Sequence, residues 1–354
     1  MAFDLKDLNS LQDLPFDTVI DVRAPAEFAE DHVPGAISMP VLSDEERARV
    51  GTIYVQDSAF KARKIGAALV ARNAADHIEQ KLIEKDGGWQ PLVYCWRGGQ
   101  RSGSFASILE QIGWRVQTLS GGYQSYRRLV VTALYDTAFT APVVLLDGNT
   151  GTAKTDILTR LPALGVQVID LEGLANHRGS ALGGQGEQPS QKAFESRLAA
   201  EVSALDPTRP VVIEAESSRV GRVNLPPEIW KAMQSAPRIE ISAPFGARVE
   251  YLVQAYADVI ADRAALRQRI ERLLPLQGRA RVGDWLEMVE AGRFDELAGE
   301  LIEHHYDPRY RKARDRHAHD TVRIEASSLE SAAIDALATQ VAESAKTMGV
   351  FERS

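Results

Sequence analysis

Twice in this chain a short apolar run empties into a glycine-rich loop and then into helical periodicity. Pro91-Leu-Val-Tyr94 leads into Cys95-Trp-Arg-Gly-Gly-Gln-Arg-Ser102, after which Phe105, Ile108, Leu109 and Ile112 recur at helical spacing. Ala141-Pro-Val-Val-Leu-Leu-Asp147 leads into Gly148-Asn-Thr-Gly-Thr-Ala-Lys-Thr155, with Ile157, Leu158 and Leu161 behind it. A strand that feeds a helix through such a loop belongs to a sheet covered on both faces, and two of them in 354 residues predict two α/β domains.

The remaining patterning agrees. Thr18-Val-Ile-Asp-Val22 reads as another strand of the first domain, and runs at 166–169, 210–214, 237–241 and 320–325 read as strands of the second. Helices are predicted over about 43–50, 58–85, 101–112 and 123–135. Asp136-Thr-Ala-Phe-Thr-Ala-Pro142 breaks the preceding helix without a period of its own, so the division is expected between 1–135 and 136–354. There is no internal repeat and no low-complexity tract.

Composition narrows the classes. No stretch approaches the roughly 20 apolar residues of a membrane span, and the start lacks the basic and apolar segments of a signal peptide, so a cytoplasmic protein is expected. The single cysteine, Cys95, excludes an internal disulfide and any multi-cysteine metal centre. A formal net charge of −8 argues against nucleic-acid binding through the overall field, though not against a local basic patch. A monomer is the working expectation.

In the first loop, backbone N–H groups and the positive end of the following helix are expected around the sulfur, with Arg97 and Arg101 adding full charges. Both effects favour a thiolate nucleophile, and the same cradle suits a tetrahedral anion. A lone cysteine at the end of a core strand is ordinarily inert. Two arginines and two glycines within six residues favour function here.

The second loop resembles a Walker A loop. Gly148, Asn149, Thr150, Gly151 and Thr152 would wrap a diphosphate, Lys154 would neutralise it, and Thr155 is the one side chain placed to reach a magnesium ion. Ala153 stands where that pattern has glycine, which narrows the backbone freedom. Two apolar runs end in carboxylates that would serve beside it, Asp170 with Glu172 and Glu214 with Glu216, and the sequence does not choose between them.

Asp21-Val-Arg23 with Glu27, His32-Val-Pro-Gly-Ala-Ile37 and Leu119-Ser-Gly-Gly-Tyr123 resemble the signatures of rhodanese-like domains across residues 15–128. The common sulfurtransferase loop of that family has four residues between cysteine and arginine, whereas Cys95 and Arg101 enclose five, the size found in related phosphatases. Asp170-Leu-Glu-Gly-Leu-Ala-Asn-His-Arg-Gly-Ser180, Glu214-Ala-Glu-Ser-Ser218 and His305-Tyr-Asp-Pro-Arg-Tyr310 extend the likeness over nearly the whole chain: it resembles the bacterial tRNA 2-selenouridine synthases.

That resemblance implies a rhodanese-like α/β domain followed by a P-loop NTPase-like α/β domain with a helical C-terminal part. It implies exchange of sulfur for selenium, from selenophosphate, at the wobble 2-thiouridine of lysine, glutamate and glutamine tRNAs, with S-geranylation by geranyl diphosphate as the first step. Selenium would be handled at Cys95 and alkyl transfer at Lys154. Gly179–Pro189 would be a lid, with Arg178 as a clamp and His177 placing a proton.

RNA is expected at Arg309–Arg316, where five basic residues face one acidic. Arg309, Arg311, Lys312 and Arg314 would meet phosphates, Tyr306 and Tyr310 would stack, and Arg263 and Arg267 would extend the patch. Asp307-Pro308 reads as an ordinary helix start. His304, His305, His317 and His319 cluster there, but adjacent histidines rarely converge on one ion and zinc is not expected. The rival reading is a P-loop kinase or ATPase with a rhodanese-like phosphatase or sulfurtransferase module.

Overall fold

A computed structural model of the chain describes residues 2–178, 186–309 and 321–348. They divide into two compact α/β units. The first contains five parallel strands, β1 (Ala2–Phe3), β2 (Thr18–Asp21), β3 (Ile37–Ser38), β4 (Pro91–Tyr94) and β5 (Gln117–Leu119), in the order β1-β5-β4-β2-β3. Ile20, Val22, Val93, Phe105 and Leu109 are buried between the sheet and its helices, and Trp89 meets Trp114 edge to face at 5.1 Å. The helix expected over 58–85 runs from Ala59 to His77 and widens into a π turn over Ile78–Leu82.

The first unit is not one stretch of sequence. It takes in residues up to Thr137 together with Pro189–Ala204, so the division expected between 1–135 and 136–354 is replaced by an interleaved one. The helix Gln191–Ala204 buries Phe194, Leu198 and Ala199 there. Its Glu195 carboxylate accepts from Arg127 and from Tyr135 (2.7 Å), and Ser196 donates to Asp31 at 2.7 Å. These partners lie at least 60 positions away in sequence, so no local pattern reports them.

The second unit is built on β6 (Val143–Gly148), β7 (Gln167–Ile169), β8 (Val211–Glu214), β11 (Arg238–Ser242) and β12 (Thr321–Glu325), all parallel in the order β12-β11-β6-β8-β7. A separate antiparallel ribbon pairs β9 (Arg219–Val220) with β10 (Val223–Asn224). After β6 the chain passes over β8 to β7, returns to β8, and only later crosses to β11 on the far side of β6. The end of β6 is therefore a topological switch point, where doubly wound sheets bind ligands.

Between Ala257 and Tyr306 the chain is helical and closes around Trp285, with Ile270, Val282, Val289 and Leu301. It then returns to the sheet as β12 and as the helix Ser331–Met348, whose Leu337, Val341 and Ala345 complete the core over β6 and β11. No helix among the described residues is long and apolar enough to cross a membrane.

Candidate functional site

Cys95 directly follows β4, and the helix Gln100–Ile112 begins five residues later, so the helix N-terminus faces the sulfur. The thiol is 4% exposed and accepts hydrogen bonds from the Gly99 amide (3.3 Å) and the Ser102 hydroxyl (3.2 Å). Burial alone pushes a thiol up. Here the Ser102 hydroxyl, the amides of Ser102 and Gly99 and the Arg101 charge outweigh it and hold Cys95 below the ordinary thiol range.

Arg101 acts on the sulfur as expected, but it is the smallest of these influences. Its guanidinium is paired with Glu27 at 2.7 Å, and Glu27 also holds Arg47 at 2.9 Å, so the carboxylate offsets part of the charge near the loop. Arg97 is exposed on the loop rim. Ser102, one turn into the helix, is a site residue the sequence reading overlooked, although its place in that first turn is the signal.

The rhodanese-like signatures acquire physical roles. A Cβ at Gly122, whose φ is +59°, would lie 2.5 Å from the Gly98 amide and closer still to the Cys95 carbonyl, so the cysteine loop sits directly on that glycine. The Tyr123 and Gln124 amides donate to the carbonyls of Cys95 (2.8 Å) and Trp96 (3.1 Å). Below them Arg23, buried and paired with Asp21 at 2.7 Å, lies 4.0 Å from the centre of the Tyr123 ring, and Tyr123 donates to Asp31 at 2.6 Å.

The second loop joins β6 to the helix Lys154–Arg160. Lys154 Nζ donates to the carbonyls of Gly148 (2.7 Å) and Asn149 (3.4 Å), which holds the ammonium within the loop. Gly148 and Gly151 have φ of +154° and +85°, and a Cβ on Gly148 would meet Thr152 Oγ1 at 2.5 Å and the Ile241 carbonyl at 2.8 Å. Ala153 adopts φ +58°, so the alanine takes the left-handed conformation that glycine supplies more cheaply.

A buried arginine braces this loop. Arg248 donates to the Thr150 carbonyl through Nε (3.0 Å) and Nη2 (2.9 Å) and pairs with Asp307 at 2.7 Å, while Asn149 donates to the same carboxylate at 3.0 Å. Asp307 is thus a brace for the phosphate loop and not the simple helix cap read from sequence. A cavity of about 290 Å³ opens over Thr150–Asp156, walled by Glu172, Arg178, Tyr251, Leu252 and Tyr256. Arg178 pairs there with Asp258 (3.1 Å) and lies 4.8 Å from the centre of the Tyr256 ring.

Both carboxylate pairs are present, because β7 and β8 are neighbours. Asp170 caps the short helix Leu171–Leu174 through the Gly173 amide (2.7 Å), and Glu214 accepts from the Leu171 amide at 3.0 Å. Burial, helped by hydrogen bonding to Asp170, pushes Glu214 well up. Glu172 lies 3.4 Å from Thr155 Oγ1 and is pushed up to about 8 by burial and by the Glu216 carboxylate, and burial raises Glu216 as well. His177 is lowered by burial and by Arg269, and among the described residues its Nδ1 has no partner. Of the expected lid, residues 179–185 lie outside the described residues.

The expected RNA surface is revised. Tyr306 is 6% exposed and packed in the Trp285 cluster, so its ring does not offer a stacking face. Arg263 donates to the Glu290 carbonyl (3.3 Å) and lies over Phe294, and Arg267 pairs with Glu271 (3.6 Å) and Glu290. Arg309 donates to His305 at 3.3 Å, and His305 is buried and lowered to about 4 by burial and by Arg309. Tyr310, Arg311, Lys312, Arg314, His317 and His319 lie outside the described residues.

Two family models match in tandem, a rhodanese-like domain over residues 4–129 and the AAA domain of tRNA 2-selenouridine synthase over 141–280. The class is therefore a rhodanese-like domain joined to a P-loop AAA domain. Proteins named tRNA 2-selenouridine synthase are similar over most of the chain. The one from Nitrosomonas europaea is 32% identical over 80% of this chain and 74% of its own, and the one from Alcanivorax borkumensis 35% over 77% and 76%. The one from Pseudomonas syringae pv. syringae is 36% identical over 70% of this chain and 66% of its own. The chain belongs to the tRNA 2-selenouridine synthase family.

Proposed function

We propose that this chain is a tRNA-modifying transferase of the cytoplasm that exchanges the sulfur of wobble 2-thiouridine for selenium, in the lysine, glutamate and glutamine tRNAs. The carrying observation is that the chain has two loops suited to anions, each at the C-terminal end of a parallel strand, one bearing a thiol held toward thiolate and the other a lysine under an open cavity. In the first step the thiocarbonyl sulfur attacks C1 of geranyl diphosphate, a C–S bond forms, and the C–O bond to diphosphate breaks. Lys154 and the loop amides stabilise the charge that develops on the departing diphosphate. In the second, the selenium of selenophosphate adds at C2, the C–S bond breaks and the S-geranyl group leaves as a thiol, and water then cleaves the P–Se bond to release inorganic phosphate, with Cys95 handling the selenium donor.

Thr155 and Glu172 are oxygen donors suited to magnesium, which when bound would neutralise diphosphate charge. Among the described residues no group of three or more His, Cys, Asp or Glu is arranged to hold a metal, so such an ion would be held chiefly through the phosphates.

The test is mass spectrometry of tRNA nucleosides after incubation with geranyl diphosphate and selenophosphate. Cys95→Ser is expected to keep S-geranylation and stop selenation, and equal loss of both steps overturns the division of labour. Lys154→Ala is expected to abolish geranylation. Unchanged diphosphate binding in that variant, or hydrolysis of ATP without tRNA modification by the parent chain, overturns the reading of the phosphate loop.

A further inference from the structure

In the first unit the helices Asp44–Gln56 and Ala59–His77 pack as a hairpin against the helix that follows the cysteine loop. Between Arg47 and Arg72 this hairpin has six basic residues and one acidic, in a chain whose net charge is −8. Arg47 pairs with Glu27 and Lys61 with Asp57, whereas Arg49, Arg63, Lys64 and Arg72 are exposed and meet no carboxylate among the described residues. Two rings are bare near the turn, Tyr54 at 54% and Phe60 at 68% exposure, and Lys64 Nζ lies 5.1 Å from the centre of the Phe60 ring. Ala62, Val70 and Ala74 already supply the buried face of the second helix, so the core does not need these rings.

A cavity of about 270 Å³ opens between this hairpin and the helix Gln100–Ile112. Buried Leu42 and Val70 line it together with exposed Tyr54, Arg63 and Gln100 and half-buried Ser104. The same end of that helix serves the cysteine: the Gly99 amide and the Ser102 hydroxyl hold the Cys95 sulfur, while Gln100 and Ser104 line the cavity. A planar ring with apolar faces and polar edges matches such walls. Its faces would meet hydrocarbon and the Tyr54 ring, and its edge atoms the hydrogen-bonding groups of Arg63, Gln100 and Ser104.

We propose that single-stranded RNA docks on this hairpin, with one unpaired base in the cavity against Tyr54 and its neighbouring phosphates at Arg63 and Lys64; the assignment rests on tRNA being the substrate. A duplex does not suit the site, because paired bases keep their faces inside the stack. A lipid surface needs a helix whose apolar face is exposed, and here that face is turned into the core.

The experiment is fluorescence anisotropy of the full chain with labelled tRNA, a labelled RNA hairpin with an unpaired loop and a labelled blunt RNA duplex, across a potassium chloride series. Tyr54→Ala is expected to weaken binding of the tRNA and the hairpin at least ~5-fold with an unchanged salt slope, because a stacking contact is lost and no charge is. Tyr54→Phe keeps the ring and should restore affinity to within about twofold. Replacing Arg63 and Lys64 together by alanine should lower the slope of log affinity against log salt by about 1.4, at roughly 0.7 per single-strand phosphate contact. Arg72 lies nine residues beyond Arg63, about two and a half turns, and so on the opposite side of the helix. Arg72→Ala is expected to leave affinity within about twofold. All four side chains are exposed, and unchanged melting temperatures check that the variants keep the fold.

Failure of the parent chain to bind tRNA overturns the function proposed above and this site with it. Binding of tRNA by the parent that Tyr54→Ala and the Arg63/Lys64 variant leave unchanged overturns the docking site alone. So does an equal loss on the duplex from Tyr54→Ala, or an effect of Arg72→Ala as large as that of the Arg63/Lys64 pair. Adsorption to phosphatidylglycerol vesicles, or self-association, that Tyr54→Ala abolishes while tRNA affinity stands assigns the hairpin to a lipid surface or a second copy and overturns the proposal.

Discussion

At Cys95 the opposing effects on the thiol come from different sources, and they can be separated. Burial raises its pKa, while the Ser102 hydroxyl at 3.2 Å is the largest of the lowering influences. Ser102→Ala removes that hydrogen bond and is expected to raise the thiol pKa. Because Cys95 is the only cysteine, the ultraviolet absorbance of the thiolate reports this one group, and its titration midpoint should move upward. An unmoved midpoint would assign the lowering to the Gly99 and Ser102 amides instead. Glu172 behaves in the opposite way. Its carboxyl is pushed from an ordinary 4.5 up to about 8 by burial beside Glu216, so between those values the folded protein holds a proton that the unfolded chain has released. The stability this contributes is present below about 4.5 and is lost as pH rises through about 8. Glu172→Gln lacks that proton, so its melting temperature relative to the parent should climb from pH 5 to pH 9; a constant difference would show that the two carboxyls ionise normally.

Among the elements, a strand was legible where it was long and buried on both faces. Pro91–Tyr94, Val143–Gly148 and Val211–Glu214 all stand within two residues of their expected places because continuous apolar runs have no other stable setting. Ala2–Phe3, Ile37–Ser38 and Gln117–Leu119 went unread, since two or three residues carry no period and only their neighbours in the sheet make them strands. The candidate site divides the same way. The two loops announced themselves by glycine and charge, but the choice between Asp170/Glu172 and Glu214/Glu216 was not available from sequence, and β7 against β8 brings both to the loop. Asp307 and Arg248 were invisible because their partnership spans 59 positions. Ala153 was visible and can be tested. A left-handed alanine costs roughly 1 kcal/mol relative to glycine, so Ala153→Gly is expected to raise stability by up to about that amount in a denaturant titration, with pyrophosphate affinity unchanged. A loss of stability would mean that the buried methyl group contributes more by packing than the backbone strain costs.

For the molecule as a whole, the charge balance decides where RNA can approach. With a net charge of −8, most of the surface repels a polyanion, and binding must be carried by a local excess of arginine and lysine. Arg263 and Arg267 do not supply it, since a helix-end carbonyl and two glutamates already engage their guanidinium groups. In the second unit the excess that remains in the sequence is Arg309–Arg316. Each phosphate contact contributes about 0.7 to 0.9 to the slope of log affinity against log salt concentration. Replacing Arg311, Lys312 and Arg314 together by alanine should therefore lower that slope by about two to three and weaken tRNA binding at low salt. Replacing Arg263 and Arg267 should change affinity by less than about twofold, because a backbone carbonyl and the Phe294 ring already engage Arg263 and two carboxylates engage Arg267. Fluorescence anisotropy of labelled tRNA across a potassium chloride series separates the two. Equal slopes for the parent and the triple variant would move the RNA contact away from this segment, and a large effect of the Arg263/Arg267 pair would mean that RNA displaces Glu271 and Glu290 from guanidinium groups the folded chain already engages.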